Sequence, residues 1–156
     1  ICNGCQFMSG LNSIITGAET WPRFTRNDSD QYECRLVQLK IEESKSIFFD
    51  GMTGSIIPVM VSHGEGKAVF SNKESNVVAR YVDPLHRTTK HYPFNPNGSE
   101  QGAAGVCNDD GRIMIMMPHP ERTFLAKQYS WSPKEWNHYS PWFKMFDNAY
   151  QFTKKN

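Results

Sequence analysis

The reading of this chain turns on its first residues, Ile1-Cys2-Asn3-Gly4-Cys5-Gln6-Phe7. A C-x-x-C pair can supply half of a structural zinc site or a dithiol redox couple. It can also carry a nucleophile elbow, where a sharp turn between strand and helix presents one side chain. Zinc needs a second close pair of ligands. Cys34 and Cys107 are isolated, and only His86 and His91 have a metal-like spacing, in a proline-rich loop. The redox reading lacks the Gly-Pro type turn that carries such pairs. An elbow needs small residues two positions from the nucleophile; Gly4 stands two after Cys2 but Phe7 stands two after Cys5, so sterics select Cys2. The helix behind it would stabilise negative charge on the sulfur and aim backbone N–H groups at an oxyanion. Equally, both sulfurs can be small buried hydrophobes, the usual fate of free cysteine.

Working outward, the second informative stretch is Arg112-Ile113-Met114-Ile115-Met116-Met117 running into Pro118-His119-Pro120-Glu121-Arg122. The first six residues read as a strand. Each proline then forces the residue before it out of the helical region, so His119 is expected in extended backbone with Glu121 on the same side. A carboxylate there would orient the imidazole and stabilise its protonated form. The bland alternative is a surface turn with Glu121 paired to Arg122. A thiol on an elbow together with a His-x-Glu at a strand end is the set that Cys–His–Glu acyl transfer needs.

Between these stretches the pattern is mixed α/β. Apolar residues Phe7, Met8, Leu11, Ile14 and Ile15 predict a helix over 4–15 that stops at Gly17. Strands are expected at 34–41, 56–62 (with Pro58 at an edge or bulge), 67–70 and 76–82. Residues 103–107 and 112–117 read as a hairpin closed by Asn108-Asp109-Asp110-Gly111, and 91–101 as a loop. Ser140-Pro141 predicts a helix start, with Trp142, Phe143, Phe146, Ala149, Tyr150 and Thr153 as its buried face. His86, His91 and His138 carry no interpretable signal.

Composition narrows the function classes. The chain has 156 residues, 38% of them hydrophobic, enough for one domain with a core. With 17 Lys+Arg against 16 Asp+Glu the net charge is +1, which lacks the basic footprint of a nucleic-acid binder. No apolar run suits a membrane span, and no signal-peptide pattern is present. Four cysteines without a paired framework suit a reducing cytosol.

The segment Cys2-Asn3-Gly4-Cys5-Gln6 resembles the Cys-x-Gly-x-Gln elbow of class I, triad-type glutamine amidotransferases, and Pro118-His119-Pro120-Glu121-Arg122 resembles their His-x-Glu. More narrowly, Trp21-Pro22-Arg23-Phe24, Ser62-His63-Gly64-Glu65-Gly66, Tyr81-Val82-Asp83, Asn95-Pro96-Asn97-Gly98-Ser99 and 115–122 look like the C-terminal glutaminase domain of the large, single-chain phosphoribosylformylglycinamidine synthases. The resemblance implies an α/β, flavodoxin-like glutaminase domain over 1–156, its central sheet flanked by helices with an added hairpin region. It further implies that the chain starts just before the nucleophile. Cys2, His119 and Glu121 would be the triad; Asn3, Gly4, Gln6, His63 and Glu65 would border the glutamine pocket. Glutamine would be the substrate and synthetase domains of the same polypeptide the partner, with no nucleic acid or membrane. No cofactor is expected in this part; ATP and Mg would serve the full-length enzyme, in the cytoplasm. Another class I glutaminase, or a non-catalytic glutaminase-like binding module, is the alternative.

Overall fold

A computed structural model describes residues 1–71 and 75–155; of the expected 1–156 domain, residues 72–74 and 156 lie outside the described residues. The elements are α1 (Asn3–Gly10), β1 (Arg23–Thr25), β2 (Glu33–Ile41), β3 (Ile56–His63), β4 (Lys67–Val69), β5 (Val77–Val82), β6 (Ala103–Cys107), β7 (Met114–Met116) and α2 (Phe143–Lys155). β1 and β4 form a small separate ladder, while the main sheet runs β3-β2-β5-β6-β7, with every described pairing antiparallel. This is the mixed α/β architecture expected, with its sheet antiparallel and curled. Pro58 sits on edge strand β3, where the missing N–H breaks no ladder.

Curling decides where chemistry can occur. β3 and β7 are opposite edges of the sheet, yet His119, three residues past β7, bridges back to Met60 on β3. Alternation along the strands sends side chains to two cores. Leu39, Ile57, Val59, Tyr81 and Met116 pack with Trp142 and Met145 of the α2 segment. Val106, Ile115 and Met117 pack with Cys5 of α1 and with Trp21. Near-total burial of β5 and β6 follows from having helices on both faces.

Both helices turn differently from their apolar pattern. α1 ends at Gly10, short of the expected Ile15, and buries Cys5 and Ser9, leaving Phe7 at 67% and Ile14 at 76% exposure. Ser9 Oγ donates to the Pro22 carbonyl, which fixes that face inward. α2 does start after Ser140-Pro141, with Ser140 Oγ accepting the Trp142 N–H. Its buried line is Trp142, Met145 and Asn148, because the Trp142 indole donates to the Pro58 carbonyl at 2.7 Å and Asn148 Nδ2 donates to the carbonyls of Phe48 and Asp50. Phe143, Phe146 and Tyr150 are consequently partly exposed, and Phe143 stacks on Tyr139 at 4.0 Å instead. β7 is also shorter than the expected 112–117.

Candidate active site

Cys2 immediately precedes α1 with φ 52° and ψ −117°, a conformation side chains with a Cβ rarely adopt. Its N–H donates to the Met116 carbonyl at 3.0 Å, which fastens the turn to β7. Its Sγ lies 3.8 Å from the Ser62 carbonyl near the end of β3. No side chain caps α1; the Gly4 N–H donates to the Ile1 carbonyl at 2.9 Å and the Gln6 N–H to the Cys2 carbonyl at 3.1 Å, which closes the turn around residue 2. Cys5 is fully buried and packs in the α1 core. Burial pushes its thiol well above the ordinary range, keeping it protonated. The sharp turn expected at residue 2 is present, but the steric reason expected for Gly4 is not: a Cβ there would meet nothing within 4 Å.

His119 lies between its two prolines at φ −112°, ψ 79°, non-helical as expected, and its N–H donates to the Met60 carbonyl at 2.8 Å. Glu121 is not on an extended chain; residues 120–122 make one 3₁₀ turn, and this turn carries Glu121 Oε1 to 2.6 Å from His119 Nδ1. With a carboxylate as its partner, Nδ1 is the donor in the neutral ring, and the lone pair lies on Nε2. Nε2 is buried and has no hydrogen-bond partner among the described residues. Arg122 Nε approaches the same Glu121 oxygen at 3.6 Å, a weaker contact than the imidazole's. Cys2 and His119 are 117 positions apart in sequence, yet both attach to the 60–62 segment of β3 and to the 116–119 segment.

The pocket residues expected from the sequence divide. Asn3 and Gly4 are exposed beside the elbow. Gln6 Nε2 donates to the Glu65 carbonyl at 2.6 Å, linking α1 to the 63–66 loop. The Glu65 side chain is exposed, whereas His63 is 3% exposed. Burial first, and the neighbouring His119 second, push the His63 imidazole down to about 4, so it is neutral near pH 7.

Sequence reasoning missed the residues that hold this loop. Asn27 Nδ2 donates to the His63 carbonyl at 2.8 Å, and Asn27 Oδ1 accepts the Gly66 N–H at 2.9 Å. Asn97 Nδ2 donates to the Gly66 carbonyl at 2.8 Å and Ser99 Oγ donates to it at 3.2 Å. Asn97 stood in the 95–99 block of the resemblance with no role attached to it, and Asn27 carried no signal; both are buried. Among the described residues no three His, Cys, Asp or Glu side chains cluster as metal ligands. A cavity of about 420 Å³ on the outer side of β2, lined by Arg35, Leu36, Pro58, Val82, Pro93 and Phe94 among others, includes neither Cys2 nor His119.

The sequence pattern of the CobB/CobQ-like glutamine amidotransferase domain matches residues 1–153. Among solved structures the chain is similar to PurLQS from Thermotoga maritima, with a TM-score of 0.62 and 26% identity. The match covers 85% of this chain and 53% of that one, so the chain spans about half the length of the solved protein. No helix is long and apolar enough to cross a membrane among the described residues.

Proposed function

The chain belongs to the CobB/CobQ-like glutamine amidotransferase family, and from that membership we propose that Cys2, His119 and Glu121 hydrolyse glutamine to glutamate and ammonia within a phosphoribosylformylglycinamidine synthase. The observation that carries this reading is the elbow itself. Cys2 holds a rare backbone conformation at a helix start, with its sulfur near Ser62 O. His119 is anchored two residues away on the same strand, with its Nε2 unpaired.

His119 Nε2 takes the thiol proton, and the thiolate adds to the side-chain carboxamide carbon of glutamine. Backbone N–H groups at the start of α1, that of Asn3 among them, stabilise the tetrahedral oxyanion; such donors are worth about 3–4 kcal/mol each in comparable sites. His119 returns the proton to the amide nitrogen as the C–N bond breaks, and ammonia leaves. Water, deprotonated by His119, cleaves the thioester to glutamate. Glu121 keeps the proton on Nδ1 and stabilises the imidazolium that forms in both halves. Asn3, Gly4, Gln6 and Glu65 form the wall that receives the substrate.

In this reading the ammonia passes to synthetase domains of the same polypeptide, which convert formylglycinamide ribonucleotide to the amidine with ATP and magnesium in the cytosol. Glutamate release from glutamine by the intact polypeptide tests the proposal. Cys2→Ala and His119→Ala should each lower it about 1,000-fold or more. Turnover surviving in Cys2→Ala refutes the assignment.

A further inference from the structure

Of five buried side-chain polar atoms without a hydrogen-bond partner among the described residues, three belong to His63 and His119. Orphaned polar atoms are uncommon and costly in native proteins, so their concentration in two imidazoles needs a cause. For His119 the orphan is the working Nε2. For His63 both Nδ1 and Nε2 are unpaired although the residue is only 3% exposed.

His63 is not loosely held. A Cβ on Gly66 would fall 2.3 Å from its ring, so the loop folds directly over the imidazole and only glycine fits there. Asn27 and Asn97 fix that loop at its His63 and Gly66 backbone groups. The preceding residue supplies the carbonyl that faces the Cys2 sulfur. Across the ladder, His63 is paired in register with Glu33, whose carboxylate is held by Arg35 at 2.5 Å. The ring lies close enough to His119 for the charge of one to act on the other.

We propose that His63 receives the departing nitrogen of glutamine: its lone-pair nitrogen accepts a hydrogen bond from the carboxamide N–H, and then from the released ammonia, without giving up a proton. This rests on the glutaminase reading above. The proton that completes ammonia comes from His119 as the C–N bond breaks, and His63 gains and loses none. A neutral acceptor suits the task, because an acid at that position would trap the product as ammonium, which is not a nucleophile. Burial keeps this ring from being that acid.

The test compares glutamine with the γ-methyl ester of glutamate, whose leaving group has no N–H, using the intact polypeptide. His63→Leu should lower kcat/KM for glutamine relative to the ester by about 10- to 100-fold, the scale of a lost hydrogen bond in a site built to make it. His63→Asn or His63→Gln, whose amide oxygens reach near the positions of Nδ1 and Nε2, should restore much of that ratio. If the leucine variant fails to fold, the amide variants must still retain a higher glutamine-to-ester ratio than His63→Ala. An unchanged ratio across the variants overturns the role of His63 alone, provided the wild type hydrolyses both substrates. A wild type that hydrolyses neither overturns the glutaminase reading and this proposal with it.

Discussion

Cys2→Ala and Cys2→Gly differ by one methyl group, and the backbone at residue 2 decides which variant is more stable. Both lack the sulfur, so its contacts cancel in the comparison. At an ordinary φ, alanine is favoured over glycine by about 0.4–1 kcal/mol, because glycine has more freedom to lose on folding. At φ 52° and ψ −117° a Cβ is strained by about 1–3 kcal/mol, and glycine escapes this. Subtracting one from the other leaves Cys2→Gly more stable than Cys2→Ala by about 1 kcal/mol, or about 2–4 °C in melting temperature for a chain of this size. Urea unfolding followed by tryptophan fluorescence measures the difference, and neither variant should release glutamate. An alanine variant as stable as the glycine variant means that residue 2 is not strained, and the elbow argument fails.

Asn27→Ala removes two donated hydrogen bonds and one accepted one from a buried side chain, so it should destabilise the fold by about 3 kcal/mol at roughly 1 kcal/mol each. A loss below about 1 kcal/mol in denaturant titration would mean the clamp is not formed. Acid should weaken the fold through His63. Its folded pKa of about 4 lies below the ordinary 6.5, so the unfolded chain takes the proton first. The contribution is therefore nil above about pH 6.5, and stability falls by roughly 3 kcal/mol between there and pH 4. His63→Leu should flatten that limb, and parallel wild-type and variant curves would contradict the burial of a neutral ring. Timed alkylation near pH 8 should modify Cys2 and exposed Cys34 well before Cys5 and Cys107, whose thiols burial raises, the latter to about 11. Early modification of Cys5 would show that the α1 core is open.

The sheet was legible because its strands carry local signals. Val37, Leu39 and Ile41 alternate with exposed Leu36 and Gln38, and the 103–117 hairpin is punctuated by Asn108 to Gly111. The segments proposed to carry the chemistry stood out for a similar reason: Cys2 adjoins a glycine-bearing helix start, and two prolines flank His119. Helix orientation was not. The pattern on α2 favoured Phe143, Phe146 and Tyr150, but polar bonds from Trp142 and Asn148 chose the buried face. Nor could the sequence reveal Asn27 as a clamp, since its partners are backbone groups 36 and 39 positions away. Curling of the sheet, which joins Met60 to His119, is a long-range property that no local window contains.

The central claim is that one particular sulfur attacks the carboxamide. A glutamine analogue carrying an electrophilic ketone in place of the amide, incubated with the intact polypeptide and mapped by peptide mass spectrometry, identifies that sulfur. Adduct on Cys2, abolished by His119→Ala and blocked by excess glutamine, is the predicted result. Adduct on Cys5, or labelling of Cys34 that glutamine does not compete away while Cys2 stays free, would contradict it.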